Sequence, residues 1–239
     1  RYRGEAVIAL VGDAQTVAAI ADDELPIEWM PEDPVVGVAA AAQEGASLVL
    51  DDKPGNVLTK GFVRKGDAEA AFTAEGRWTT RFVEHAYIEP EAGWARRVGD
   101  RLEVSVSTQT PYMDRDEIAH VMGLEKEQVR VIPTACGGGF GGKLDMSVQP
   151  LLAVAAWKLG VPVRYVYTRP ESMAASTKRH PAKIMAKAGC TTDGQLTAFQ
   201  FHGDFDTGAY ASWGPTVADR VPVHATGPFL VPHVLNTSR

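Results

Sequence analysis

Two cysteines, Cys136 and Cys190, are all that the 239 residues contain. So few exclude a disulfide scaffold, an iron-sulfur cluster held by this chain alone, and a four-cysteine zinc site. Dense lysine or arginine runs are also missing, and 30 acidic residues against 24 basic ones give a net charge of -6. That balance argues against a nucleic-acid partner. No apolar stretch approaches the roughly 20 residues that a membrane-spanning helix needs. Neither an initiator Met nor an apolar signal core opens the chain, which starts Arg1-Tyr2-Arg3-Gly4 and stops at Asn236-Thr237-Ser238-Arg239. A piece of a longer polypeptide is expected. Repeats and low-complexity segments are absent too. What is present, 45% hydrophobic and 23% charged residues, suits a globular chain with a sizeable core.

Apolar runs at 5–11 and 25–30 are too short for buried helices and are expected to be strands. Between them, Asp13 precedes an Ala-rich stretch and is expected to cap a helix over 13–23. Residues 31–60, rich in Pro, Gly and Asp, read as a linker. Residues 67–72 suggest a short helix. Strands are expected at 78–83, 87–95, 102–107, 129–132 and 163–167; Leu102, Val104 and Val106 alternate with polar partners. Helices are expected over 112–123, ending at Gly123, and over 148–159, closed by Gly160. Residues 182–206 alternate around Asp193-Gly194, a hairpin signal. Strands and helices without strict alternation predict an α+β fold rather than a doubly wound sheet.

The most informative stretch is Cys136-Gly137-Gly138-Gly139-Phe140-Gly141-Gly142-Lys143-Leu144, with five glycines in six positions. Without a Cβ, backbone amides can come close to a ligand, and such a loop before a helix suits an anion. A tight structural turn is the plain alternative. Gly137, Gly139 and Gly142 also fit the dinucleotide pattern G-x-G-x-x-G, which would make the chain an NADP-binding dehydrogenase using Arg169. NAD is disfavoured because the strand at 163–167 ends in Thr168-Arg169 rather than in an acidic residue. Gly137 to Lys143 fits G-x-x-x-x-G-K, but Leu144 replaces the hydroxyl residue that would hold magnesium.

A further reading comes from resemblance. Gly-Gly-Gly-Phe-Gly-Gly-Lys resembles the molybdopterin loop of the xanthine dehydrogenase and aldehyde oxidoreductase family of molybdenum hydroxylases. Ser107-Thr108-Gln109-Thr110-Pro111 resembles that family's glutamine segment, and Gln109 precedes Phe140 by 31 residues, a separation like the family's. Glu84-His85-Ala86-Tyr87-Ile88-Glu89-Pro90, Gly160-Val161-Pro162-Val163-Arg164, Thr168-Arg169-Pro170-Glu171 and Arg179-His180-Pro181 resemble further family segments. Arg3-Gly4-Glu5-Ala6-Val7 and Leu25-Pro26 resemble the end of its small α/β hammerhead domain. The resemblance implies a hammerhead-like end over 1–45, a linker over 46–65 and a mixed-sheet molybdopterin-binding domain over 66–239.

It also implies roles. The backbone at Gly139, Phe140 and Gly141 would contact the cofactor, and Gln109 would hydrogen-bond a ligand of the metal without coordinating the metal itself. Arg220 would face the substrate and stabilise negative charge on an aromatic or acyl oxygen; a surface ion pair is its plain alternative. Purine-oxidising relatives carry a glutamate after the loop lysine, where this chain has Leu144 followed by Asp145. That departure favours an N-heteroaromatic, aldehyde or aryl-acyl substrate over xanthine.

The implied reaction is hydroxylation of an electron-poor carbon with water-derived oxygen. The family's general-base glutamate lies beyond residue 239, so no catalytic base is expected in this chain. The implied cofactor is molybdopterin with Mo, in its plain or cytosine-dinucleotide form. Its [2Fe-2S] clusters and FAD would sit in partner chains or domains: an iron-sulfur subunit, an FAD subunit and the rest of the molybdenum subunit, in the cytoplasm. An assembly domain without cofactor is the non-catalytic alternative. His85 and Glu89 make a poor metal pair. Cys136 is expected to pack rather than react, and Trp78, Trp94 and Trp213 to lie in a core or interface. His180, His202, His224 and His233 carry no ligand spacing.

Overall fold

A computed structural model describes residues 1–67 and 72–239; the short helix expected at 67–72 falls largely outside them. The chain forms two compact units, one from 1–31 and 84–178, the other from 32–83 and 179–239. Both carry mixed sheets with helices, the α+β class expected. No helix among the described residues is long and apolar enough to cross a membrane.

In the first unit, strands β3 (Ala92–Val98), β4 (Arg101–Val106), β5 (Val129–Pro133) and β6 (Val163–Val166) form a sheet of order β5-β4-β3-β6. The alternating Leu102, Val104 and Val106 point into the core. There they meet Ile118 and Ala119 of α3 (Pro111–Met122) and Leu152, Ala153 and Ala156 of α4 (Gln149–Leu159). Burying a Leu or Ile at such a position stabilises by about 1.5–3 kcal/mol. Gly123 and Gly160 cap the two helices in the left-handed conformation, as expected.

Topology then fixes where a site can form. β4 and β5 are parallel, with Val106 opposite Pro133, so both end at one edge. β3 runs against β4 and starts at that edge, and β6 ends there, with Val166 opposite Ala92. Four connections therefore converge: residues 84–91, 107–110, 134–148 and 167–178. Ligands in such sheets sit outside the carboxyl ends of parallel strands.

The second unit holds β1 (Gly61–Lys65), β2 (Phe72–Thr79), β7 (Ala182–Cys190), β8 (Leu196–Phe205) and β9 (His233–Ser238), ordered β1-β9-β8-β7-β2. The hairpin expected around Asp193-Gly194 is the β7–β8 pair, antiparallel from Ala182 opposite Phe205. Helix α6 (Gly214–His224) contains Pro222, which has no N–H to give the Ala218 carbonyl one turn back. The Ser238 hydroxyl donates to that carbonyl instead, at 2.7 Å, and the Asn236 amide donates to the Pro222 carbonyl at 2.8 Å.

Several strand expectations need correction. Asp13 does cap a helix, α1 (Ala14–Ala19), accepting from the Thr16 N–H, but 5–11 and 25–30 join neither sheet. Their apolar side chains stay largely exposed, Trp29 and Met30 among them, because an apolar run becomes a strand only when another strand completes its ladder. β2 ends at Thr79, leaving 80–83 outside it, and β3 begins at Ala92 rather than at 87. Ala86, with a φ of 49°, and Pro90, which has no N–H, make 84–91 irregular. Residues 61–65, inside the expected linker, form β1. Trp78 is exposed, not core.

Candidate functional site

At the converging edge the glycine loop folds over the ends of 84–91 and 107–110. Gln109 is exposed, yet its carboxamide oxygen is tied down, accepting from the Gly141 N–H at 3.0 Å and the Lys143 N–H at 3.3 Å. The Gln109 N–H in turn donates to the Lys143 carbonyl at 3.0 Å. With the oxygen held, the carboxamide NH2 is the end left to donate. The amides of Gly138, Gly139 and Phe140 find no acceptor among the described residues.

Two of the glycines leave no room for a side chain. A Cβ on Gly139 would lie 2.4 Å from Gln109 Oε1, and one on Gly142 would lie 2.8 Å from the Tyr87 ring and 2.9 Å from His85 Nδ1. Real Cβ atoms essentially never approach so closely. Phe140, at positive φ, stands at the crest of the loop with its ring exposed.

Beneath the loop, Glu89 Oε2 accepts from the Ser107 hydroxyl at 2.6 Å, the Gly137 N–H at 2.8 Å and the Lys143 ammonium at 2.8 Å. Lys143 is almost wholly buried, its ammonium 4.7 Å from the centre of the Tyr87 ring. Burial pushes the Glu89 carboxyl up, but its three donors outweigh this and hold it below the usual carboxylate range. One layer lower, Asp114 is fully buried between the Thr108 hydroxyl and the Gln149 amide, with Oδ1 unpartnered, and burial raises its pKa.

These contacts decide between the motif readings. Lys143 is spent on Glu89 and cannot serve as a phosphate-binding loop lysine. Six residues, 143–148, separate Gly142 from the start of α4, so the loop is not the tight strand-to-helix turn that a dinucleotide requires. Arg169, the NADP candidate, donates through Nη2 to the carbonyls of Tyr87 and Ile88. Among the described residues no group of His, Cys, Asp and Glu could hold a metal ion.

The structure brings Gln109, Gly139, Phe140, Gly141 and Leu144 into one unit around one loop. Leu144 is half-buried, its carbonyl accepting from the Thr110 hydroxyl at 3.0 Å. Arg220 belongs to the other unit, exposed on α6. In the sequence, Glu89 and Lys143 stand out only as members of family segments; their pairing across 54 positions leaves no local signal.

The family model for the molybdopterin cofactor-binding domain matches residues 49–239. This chain belongs to the molybdopterin cofactor-binding domain family. It is 37% identical over 98% of its length to the nicotinate dehydrogenase large molybdopterin subunit of Eubacterium barkeri, and 33% identical over 98% to a probable xanthine dehydrogenase subunit of Bacillus subtilis. It spans 56% and 32% of those two proteins. Among solved structures, the aldehyde oxidoreductase of Desulfovibrio gigas matches 84% of this molybdopterin-domain chain with a TM-score of 0.79 at 26% identity, over 23% of that protein. Quinoline 2-oxidoreductase of Pseudomonas putida 86 shares the fold over 88%, with a TM-score of 0.78.

Proposed function

We propose that this chain forms a cofactor-facing wall of a molybdenum hydroxylase. The observation that carries the reading is Gln109, whose oxygen is anchored by two loop amides so that its NH2 is left to donate, in a loop where the amides of Gly138, Gly139 and Phe140 find no acceptor among the described residues. A set of neutral N–H donors without metal-ligating side chains fits a pterin-carried metal. Such donors stabilise acceptor atoms of the group without displacing its ligands.

When bound, the molybdenum supplies the two-electron oxidation that lets water-derived oxygen hydroxylate an electron-poor carbon. The protein's part is positional. Gly139, Phe140 and Gly141 present backbone to the pterin, and Gln109 donates to a ligand of the metal. Leu144 lines the substrate side with an apolar surface. The substrate is a small N-heteroaromatic, aldehyde or aryl-acyl compound. The relative named for nicotinate, an N-heteroaromatic acid, supports the first of these. That relative is named a large subunit, which supports partner subunits; electrons would pass to [2Fe-2S] and FAD centres in partner chains, in the cytoplasm.

Turnover of a heteroaromatic and aldehyde panel by the native assembly tests the reading. Cells grown with tungstate in place of molybdate are expected to yield inactive protein; undiminished turnover would contradict it.

A further inference from the structure

We infer that Glu89 and Lys143 form a clasp that sets the shape of the glycine loop and, through it, the orientation of the Gln109 carboxamide. A loop of five glycines has little conformational preference of its own. Something outside it must hold its ends. Glu89 Oε2 takes the N–H of Gly137 at the first glycine and the ammonium of Lys143 just after the last. The Glu89 N–H also donates to the Gly137 carbonyl at 3.3 Å.

The clasp reaches Gln109 by two routes. Ser107, two residues before Gln109, donates to Glu89 and accepts from the Lys143 ammonium at 3.0 Å. The main chain of Lys143 both donates to the Gln109 carboxamide and accepts from the Gln109 N–H. One ion pair, with Lys143 buried and Glu89 partly exposed, thus ties together 84–91, 107–109 and 137–143. The Lys143 ammonium is engaged by Glu89, Ser107 and the Tyr87 ring, so its role is positioning rather than ligand binding.

A pair that merely stabilised the fold would behave differently from a clasp. Removing Glu89 leaves the buried Lys143 ammonium without its counter-charge, whereas replacing both by neutral side chains removes that charge. The clasp therefore predicts that Glu89→Gln lowers the melting temperature of the native assembly more than Lys143→Met does, and that the double variant recovers what Glu89→Gln loses. Loop shape is not recovered. In hydrogen exchange read by mass spectrometry, the 137–144 peptide of the double variant is expected to exchange about tenfold faster than wild type, with α3 and α4 unchanged.

Ser107→Ala is the milder companion, expected to speed exchange of the same peptide severalfold with little change in melting temperature, and it decides the matter should the charge variants not fold. Wild-type exchange of 137–144 in the double variant, or in Ser107→Ala alone where the double variant does not fold, overturns the clasp. The consequence for a bound cofactor rests on the function proposed above, but the exchange readout does not. A wild-type assembly without molybdenum, together with fast loop exchange in the variants, would count against that function and leave the clasp standing.

Discussion

Gln109 and Gly141 lie 32 positions apart, and the Gly141 N–H donates to the Gln109 carboxamide oxygen at 3.0 Å. That bond divides the glutamine into an oxygen that holds the loop and an NH2 that is left to donate. The division can be probed one end at a time.

Gln109→Ala removes both ends. The loss of two amide hydrogen bonds, about 1 kcal/mol each, should lower the melting temperature by a few degrees. Turnover should fall by about 10²-fold if the NH2 donates to a ligand of the metal. Gln109→Glu keeps an oxygen for Gly141 and Lys143 but has no NH2. Thermal melting near wild type with turnover as low as in Gln109→Ala is the expected pairing, read by calorimetry and steady-state kinetics.

Gly139→Ala places a methyl 2.4 Å from Gln109 Oε1. Overpacking of this kind costs about 1–3 kcal/mol. Loop or glutamine must move, so the variant should lose cofactor more readily than stability, measured as pterin released per folded chain.

Local chemistry makes much of this fold legible. Asp13, Gly123, Gly160 and Asp193-Gly194 mark helix ends and a hairpin because caps and turns depend on a few neighbouring residues. The strands expected at 5–11 and 25–30 fail for the complementary reason: pairing partners are remote, and an apolar run does not name them. In the site, Gln109 and the glycines carry a family pattern and can be read directly. The Glu89 and Lys143 pair and the buried Asp114 cannot, since each acquires its meaning only when segments far apart in sequence fold against one another.

Leu144 supplies a specificity test. Under the proposed function it puts an apolar side chain on the substrate side, so the native assembly should prefer pyridine-type substrates to xanthine by kcat/KM. Leu144→Glu should narrow or reverse that preference, and an unchanged ratio would remove Leu144 from the substrate side.

Asp114 gives a pH dependence. Burial raises its carboxyl above the unfolded value of about 3.9. The folded state then binds more protons than the unfolded one between that value and the raised one, so its stability falls as pH climbs through this window and levels off above it. Asp114→Asn removes the ionisation. Thermal melting should rise at pH 7, change less near pH 3.5, and lose that part of its slope between them.

The most direct measurement is the molybdenum and pterin content of the native assembly, by elemental analysis and by fluorescence of the oxidised pterin. Wild type should carry about one molybdenum and one pterin for each copy of this chain, with less of both in Gly139→Ala. A folded native assembly with neither molybdenum nor pterin would contradict the central claim.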